Sequence, residues 1–428
     1  MFQHRINEKT AVVITRKRAL RQLALPLALC FLLLPVNARA DQVTDWNANG
    51  AIAALNAGRS PAAMVIDLAY MHAAIYDAVN AIDGGYSVYA VTPSNVPPDA
   101  SKEAAAVAAA YNVLKTLLPT QQAFLDSQYA TSLAAITDGD AKTHGIAVGE
   151  EVAALFLESR GGDGRNANIT YTPGSGPGAW QPTPPALAPA LTPWVAETRP
   201  FGILSPSQFR AEGPPPLGSA RWAADFNETK SLGDANSTTR TAEQTEIGRF
   251  YGIEHPGAQY ARIFRTFAAE QDMNLADNAR LFAVLYVTVA DSQIAVWDSK
   301  YHFGFWRPVT AIRSAETDDN PATDADPAWL PLVTTPGHPE YPAAHGAFTG
   351  AYAEALRRFF DSKQVSITLT STATGTSRTF NKTDQLINEI IEARIYGGMH
   401  YRTSCKHGVK MGEKVAKWVA KHYFKPVN

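Results

Sequence analysis

The chain is poor in cysteine and has no excess of basic residues. Only Cys30 and Cys405 occur among its 428 residues, which excludes a disulfide-rich scaffold. Lysine and arginine number 38 against 40 aspartate and glutamate residues. A nucleic-acid surface needs a basic stripe, so no nucleic-acid partner is expected. Hydrophobic residues make up 46% of the chain, which is typical of a globular protein with a sizeable core.

Beyond residue 40 the chain also lacks an apolar run of about 18 residues, the length that a membrane-spanning helix needs. The first 40 residues differ. A basic region at 16–21 precedes the apolar run 23–34, and residues 37–40 end in a small-x-small site. This order predicts a signal peptide over residues 1–40, cleaved between Ala40 and Asp41, and an exported protein, either periplasmic or secreted. An uncleaved anchor is the alternative.

Cleavage at that site would make the chain more acidic. Residues 1–40 hold seven of the 38 basic and one of the 40 acidic residues, which leaves 31 against 39 and a net charge of −8. Any local cluster of cations in the remaining chain therefore needs an explanation.

Helical periodicity dominates residues 41–428. Met64, Leu68, Met71, Ile75 and Val79 recur at three- and four-residue spacing, which is the period of one helix face. Similar patterns predict helices over 103–118, 146–157, 242–251, 258–270, 274–300, 342–360, 383–396 and 405–423. Residues 365–369 are typical of a strand. The sequence predicts an all-α fold in a single domain over 41–428.

One segment interrupts the helices. Twelve of the 28 prolines lie between Pro173 and Pro216, so regular helix is excluded over 171–218. The same stretch contains Trp180, Trp194, Phe201 and Phe209. We predict a long ordered surface loop, with an interdomain linker as the alternative.

Three motifs within residues 274–428 contain chemically active side chains. The first has Lys300 and Arg307-Pro308 with six residues between them, and the second runs from His338 through Pro342 to His345. The third places Arg394 before a Gly-Gly pair and His400.

Each motif alone has an ordinary explanation, because a cation at a helix end is usually solvated. Together the motifs predict a shared site. Arg307 and Arg394 offer planar forks, Lys300 offers a point charge, and His345 lies in the first turn of a predicted helix, where free N–H groups favour anions. The sequence therefore predicts a site for a tetrahedral oxyanion, either phosphate or vanadate.

The three motifs resemble the signature of the vanadium haloperoxidase and type-2 phosphatidic acid phosphatase superfamily. The segments 67–79 and 297–300 also resemble its soluble haloperoxidase branch. The resemblance covers nearly all of the chain after residue 40, and the three motifs are its most specific part. It implies a helical bundle of the haloperoxidase and acid phosphatase type.

The resemblance also implies residue roles. Lys300, Arg307, Arg394 and the backbone N–H of Ala344 would bind the oxygens of vanadate, or of phosphate as a competing occupant. His400 would be the vanadium ligand, or the nucleophile of a phosphatase. His345 would act as the acid–base group and Lys300 would polarise peroxide. Two further positions, Trp297 and His338, match the halide side, and His338 resembles bromoperoxidases rather than chloroperoxidases.

Two positions depart from the pattern. Ala343 stands where most members have a serine whose hydroxyl bonds the anion, and Ser404 stands where the phosphatases have an aspartate that orients the histidine. The expected function is a vanadate-dependent haloperoxidase that uses hydrogen peroxide and bromide, without haem or nucleotide. A soluble exported acid phosphatase that acts on a phosphate ester through phospho-His400 is the alternative, and an oxyanion-binding scaffold without activity is the third possibility.

Overall fold

The computed structural model describes residues 41–427, and these are mostly helical. The helices are α1 (Gln42–Asn56), α2 (Pro61–Asp83), α3 (Lys102–Leu117), α4 (Gln122–Ala134), α5 (Asp140–Ser159), α6 (Ala220–Gly233), α7 (Ala242–Phe250), α8 (Pro256–Glu270), α9 (Leu275–Phe303), α10 (Pro308–Arg313), α11 (Ala344–Phe359), α12 (Thr383–Tyr396) and α13 (Arg402–His422). The predicted all-α class is confirmed. The predicted signal peptide lies outside the described residues.

A single antiparallel hairpin joins α11 to α12 in the described part of the chain. Strand β1 (Ile367–Ser371) pairs with β2 (Thr376–Phe380), and Ile367 lies opposite Phe380. The predicted strand at 365–369 overlaps β1, whereas β2 was not predicted.

Helices α2 and α9 form the centre of the core. The expectation that no segment after residue 40 has the length and apolar character of a membrane span was wrong, because both helices have them, with mean hydropathies of 1.3 and 1.4. Their most apolar windows are nevertheless 100% and 94% buried inside the protein. This burial is the pattern of core helices, which are hydrophobic all round because they are covered all round.

The proline-rich segment 171–218 packs against this core. Trp180 is completely buried and Trp194 nearly so. The carboxylate of Asp291 on α9 accepts hydrogen bonds from the backbone N–H groups of residues 201–203, at 2.6, 2.7 and 2.8 Å. The segment is therefore an ordered part of the structure that covers one side of α9.

Helices α11 and α13 pack backbone against backbone through glycines on both sides. Gly346 and Gly350 on α11 lie against the main chain of Cys405 and Val409, and Gly408 and Gly412 on α13 lie against the main chain of Ala343 and Ala347. A Cβ atom added at Gly346 would lie 2.6 Å from the carbonyl oxygen of Cys405, and one added at Gly350 would lie 2.5 Å from that of Val409. These contacts leave no space for side chains, and they fix the start of α11 relative to the start of α13.

We expect Gly350→Ala to lower the free energy of unfolding by about 1–3 kcal/mol, because its new methyl group meets main chain that cannot move aside. This overpacking outweighs the gain of about 1 kcal/mol that alanine normally brings to a helix interior. Urea unfolding followed by circular dichroism measures the change.

The matched control is Gly218→Ala, because Gly218 has open space around its Cα and does not have a positive φ. Equal stability of Gly350→Ala and the wild type would contradict the close packing of α11 on α13.

Candidate active site

The three predicted cations all lie at helix ends and are all buried. Lys300 is in the last turn of α9, Arg307 is the residue before α10, and Arg394 is in the last turn of α12. Their exposed fractions are 0%, 0% and 1%. Gly304 ends α9 with a φ of 52°, a left-handed conformation that glycine adopts without strain.

Main-chain carbonyl groups accept hydrogen bonds from two of these cations. The Nζ atom of Lys300 donates to the carbonyl oxygens of Pro339 and Glu340, both at 2.8 Å. Arg307 donates from Nε to the carbonyl oxygen of His338 at 2.8 Å and from Nη1 to that of Met399 at 3.0 Å. The second and third motifs are thus held against the first.

Arg394 keeps more of its hydrogen-bonding capacity free. Its Nη1 donates to the carbonyl oxygen of Tyr251 at 3.2 Å, and its Nη2 contacts the Sδ atom of Met399 at 3.0 Å. Its buried Nε atom has no partner within residues 41–427. A buried N–H group is costly to leave unpaired, so this atom is suited to a bound anion.

Positive charge exceeds negative charge in this interior. Burial lowers the pKa of Lys300 well below its ordinary value, and repulsion by Arg307 adds to the effect. Burial likewise lowers the pKa of Arg307 to about 9 and that of Arg394 to about 10. Glu340 is the carboxylate buried with them in the described part of the chain. The arrangement favours an anion, because buried charges need partners.

His400 follows a sharp chain reversal after α12. Gly398 has a φ of 72°, and a Cβ atom there would lie 2.5 Å from the carbonyl oxygen of Gly233. The reversal brings His400 Nε2 to 3.2 Å from Arg307 Nη1, while His400 Nδ1 lies 2.7 Å from Glu340 Oε1. Arginine only donates, so Nε2 accepts and the proton of the neutral ring is on Nδ1. The lone pair of Nε2 therefore points at the cations.

Glu340 is the site residue that sequence reasoning missed. Its Oε1 accepts from His400 Nδ1 and from the backbone N–H of Tyr401, the latter at 3.2 Å. Burial raises its pKa to about 7, although Lys300 and Arg307 oppose the shift. The orienting carboxylate expected to be missing at Ser404 is thus supplied from another element. The only sequence signal was that Glu340 is an acidic residue within the second motif, between His338 and His345.

His345 lies in the first turn of α11, on a different wall from His400. Its side chain is partly exposed, and its Nε2 has no hydrogen-bond partner among the described residues. Burial and the positive charges of Arg394 and Lys300 hold its pKa well below the ordinary value. Ala343, the residue before α11, provides no side-chain cap. The first-turn N–H groups, including that of Ala344, therefore keep their capacity for an anion.

Trp297 and His338 form a pair of rings beside these groups. Their centroids are 5.0 Å apart. Arg307 Nη2 lies 2.9 Å from His338 Nδ1. Since arginine must be the donor, Nδ1 accepts and the proton of the neutral imidazole is on Nε2. An N–H donor beside an indole ring is suited to a halide ion.

A cavity of about 380 Å³ brings most of the predicted residues together. The predicted residues in its wall are Trp297, His338, Ala344, His345, Arg394 and His400. Lys300 and Arg307 lie directly behind this wall, in contact with residues 338–340 and 399. All eight predicted site residues thus belong to one region.

Comparisons with known proteins relate part of this chain to the vanadium haloperoxidases. The family model described as the VCPO second helical-bundle domain matches residues 280–428. The vanadium chloroperoxidase of Curvularia inaequalis is 34% identical over 153 residues, which are 30% of this chain and 24% of that protein. The matched part therefore spans much less than the full length of this relative.

Solved structures extend the similarity to most of the chain. The crystal structure described as the first bacterial vanadium-dependent iodoperoxidase has a TM-score of 0.79 at 24% identity, covering 90% of this chain and 97% of that one. A holo-type bacterial vanadium-dependent chloroperoxidase has a TM-score of 0.66 at 18% identity, covering 85% and 92%. The chain therefore has the fold of these solved vanadium haloperoxidase structures, and its residues 280–428 match the VCPO second helical-bundle model.

Proposed function

We propose that this protein is an exported haloperoxidase that uses vanadate and hydrogen peroxide to oxidise bromide. The observation that carries the proposal is the burial of Lys300, Arg307 and Arg394 beside a cavity that His345 lines from α11 and His400 lines from the turn between α12 and α13. The similarity to chloroperoxidase and iodoperoxidase proteins supports the same reaction class.

The residues present fit an anion of two to three negative charges. Arg394 Nε has no partner within residues 41–427, the N–H of Ala344 is at a helix start, and two more cations lie behind them. His400 Nε2 would be the ligand atom, because Glu340 holds the opposite ring nitrogen. Bound vanadate would supply a Lewis-acid centre that activates hydrogen peroxide. Phosphate has the same shape and charge and would compete for these residues.

His345 would transfer the protons of the reaction. Its Nε2 has no hydrogen-bond partner among residues 41–427, so this nitrogen is free to accept a proton from hydrogen peroxide. Burial and the nearby cations lower its pKa, which favours return of that proton later in the reaction. Overall, a halide ion, hydrogen peroxide and a proton give hypohalous acid and water. Lys300, fully buried behind the wall, would polarise the peroxide oxygen that the halide attacks.

Bromide is the proposed halide. The protonated Nε2 of His338 offers a hydrogen bond, and the Trp297 ring offers a polarisable surface beside it. Such a mixed site fits bromide better than the smaller and more strongly hydrated chloride. His338 is also the position at which the chain resembles bromoperoxidases.

The first prediction concerns activity. Protein incubated with orthovanadate is expected to brominate phenol red with hydrogen peroxide, and His400→Ala to lower the rate at least about 100-fold by removing the ligand atom. The control is His302→Ala, because His302 is exposed and lies outside the cavity wall.

The same preparations distinguish the alternatives. Release of phosphate from a chromogenic ester, inhibited by vanadate and without bromination, would assign the acid phosphatase instead. Vanadate or phosphate binding in calorimetry without either activity would assign the scaffold.

The second prediction concerns Ala343. Serine at this position restores a hydroxyl group at the start of α11, and we expect Ala343→Ser to tighten vanadate binding about tenfold, since a hydrogen bond to a charged group contributes about 1.5–3 kcal/mol. Calorimetry with orthovanadate measures the dissociation constant.

The serine hydroxyl can instead accept a hydrogen bond from a backbone N–H in the first turn of α11. Such a cap stabilises a helix by about 1 kcal/mol. A higher unfolding temperature with unchanged vanadate affinity would show that the hydroxyl serves the helix alone, and would contradict the prediction.

The third prediction separates two roles of Glu340. If the carboxylate only adds negative charge, both Glu340→Gln and Glu340→Ala should bind vanadate more tightly. If it orients His400, Glu340→Gln should retain binding, because its amide oxygen still accepts from Nδ1. Glu340→Ala should then lose about 10- to 100-fold.

We expect the second pattern, because the bond from His400 Nδ1 is 2.7 Å long and fully buried. Nitrogen NMR of the His400 ring adds a readout that is independent of vanadate. The Nδ1-protonated form should persist in Glu340→Gln and decline in Glu340→Ala.

A further inference from the structure

Helix α13 has a row of exposed lysines along one face. All of them lie within Arg402–His422, and the row consists of Lys406, Lys410, Lys414, Lys417 and Lys421. Their spacings of four, four, three and four residues place them on one side of the helix. At about 1.5 Å per residue, the row extends over roughly 22 Å. This surface is termed the lysine face.

The positive charges of the lysine face have no counter-charge beside them. Glu413 is the one acidic residue of α13, and its carboxylate lies 3.8 Å from Arg357. Arg402, at the start of the helix, forms ion pairs with Glu228 and Glu392 at 2.7 and 2.6 Å. None of the five lysines forms an ion pair within residues 41–427. The face is therefore free to meet an anionic surface.

The lysine face lies in an otherwise acidic chain. Residues 41–428 hold 31 basic and 39 acidic residues, and five of the 31 are on this face. Composition alone did not reveal this stripe, because acidic residues elsewhere in the chain balance it. The net negative charge repels an anionic partner from most approaches, so such a partner would meet the protein at the lysine face.

An exposed leucine lies close to the C-terminal half of α13. Leu204 is 77% exposed, the highest value among the large hydrophobic side chains of the described residues. Two residues earlier, the carbonyl oxygen of Gly202 accepts hydrogen bonds from Trp418 Nε1 at 2.9 Å and from the Tyr423 hydroxyl at 3.1 Å. Trp418 follows Lys417 directly in the chain. The segment of Leu204 is therefore attached beside the lysine face.

Hydrogen bonds fix the backbone that carries Leu204. The N–H groups of residues 201–203 donate to the carboxylate of Asp291, and the N–H of Leu204 donates to Gln208 Oε1 at 2.6 Å. A backbone held in this way cannot turn the leucine inward. Apolar surface held in water is unfavourable, so this side chain would be stabilised by a partner with an apolar layer.

Two more exposed aliphatic residues lie at the same end of α13. Val427 is 55% and Val88 is 48% exposed. Their segments pair through backbone hydrogen bonds of 2.7 and 3.0 Å. The hydroxyl of Tyr89 donates to the carbonyl oxygen of Phe201 at 2.7 Å, which connects this pair to the segment of Leu204. Three aliphatic side chains from three parts of the chain are thus gathered where the row of lysines ends.

We propose that the lysine face and these three aliphatic residues bind the surface of an anionic phospholipid bilayer. The lysines meet the phosphate headgroups, and the aliphatic side chains enter the boundary between headgroups and acyl chains. A nucleic acid would meet the same lysines but has no hydrocarbon layer for Leu204, Val88 and Val427. The proposal is independent of the proposed function, because none of these residues lines the cavity.

Binding to lipid vesicles tests the proposal on the full chain. We expect the protein to sediment with vesicles of equal parts phosphatidylcholine and phosphatidylglycerol, and about tenfold less with vesicles of phosphatidylcholine alone. Raising the ionic strength from about 0.1 M to about 1 M shortens the Debye length from about 10 Å to about 3 Å and should remove most of this difference. The apolar run 23–34 is the same in every sample, so differences between samples report on the lysine face.

Removal of charge from the lysine face has a matched control. Lys417→Gln combined with Lys421→Gln should weaken binding to the anionic vesicles about tenfold, because each lysine contributes near the membrane surface. Lys363→Gln combined with Lys382→Gln removes the same charge from two exposed positions outside α13 and should bind like the wild type. Equal weakening by the two double variants would reveal a general charge effect and overturn the proposal.

Leu204→Ser tests the apolar part of the contact. We expect this variant to bind the anionic vesicles at least about threefold more weakly, because an exposed leucine loses its transfer into the bilayer. The control is Leu187→Ser, because Leu187 is 62% exposed and lies outside residues 201–204. Unchanged binding of Leu204→Ser, or an equal loss in Leu187→Ser, would overturn the placement of the aliphatic residues in the membrane.

Duplex DNA separates the two classes of polyanion. We expect no saturable binding to a DNA duplex at the lower ionic strength. Saturable binding to DNA that disappears in the variant of Lys417 and Lys421 would assign the face to nucleic acid and overturn the proposal. Equal binding of the wild type to the two kinds of vesicle would overturn it as well.

Discussion

Positive charge buried in excess of its counter-charge is the constraint on which the site depends. Lys300, Arg307 and Arg394 lie in the interior, and Glu340 is the buried carboxylate that accompanies them among the described residues. Desolvated charges are stable only with partners, so carbonyl groups of residues 338–340 and 399 turn inward to meet them. The cations thereby order the two loops that carry the histidines. One donor, Arg394 Nε, remains without a partner, and an anion would complete the arrangement.

Long apolar periodicity made much of the fold predictable. Helices α2, α9 and α12 match the predicted ranges, because their buried faces repeat at helical spacing over many residues. Helix α6 was not predicted, since it is held mainly by two buried aromatic residues, Trp222 and Phe226, rather than by a continuous stripe. Strand β2 was missed for a related reason, because most of its side chains are exposed.

From the sequence, only those site residues that lie in short motifs of fixed spacing could be predicted. Three motifs indicated the cations and the two histidines, and the structure brings those residues to one region. Glu340 was not identified because its role arises from a tertiary contact. Its bond to His400 spans 60 positions of the chain. No local spacing in the sequence encodes such a contact.

The glycine contacts between α11 and α13 have a consequence for how such a site can diversify. His345 begins one helix and His400 precedes the other, and the two backbones already touch. Substitutions at this interface cannot bring the histidines closer together, and larger side chains would separate the helices and destabilise the protein. Mutational adaptation to a different ligand is therefore confined to the cavity side, at positions such as 293 and 253. The helix pair acts as a fixed frame. Natural or laboratory evolution can change the chemistry only by replacing the side chains that line the cavity.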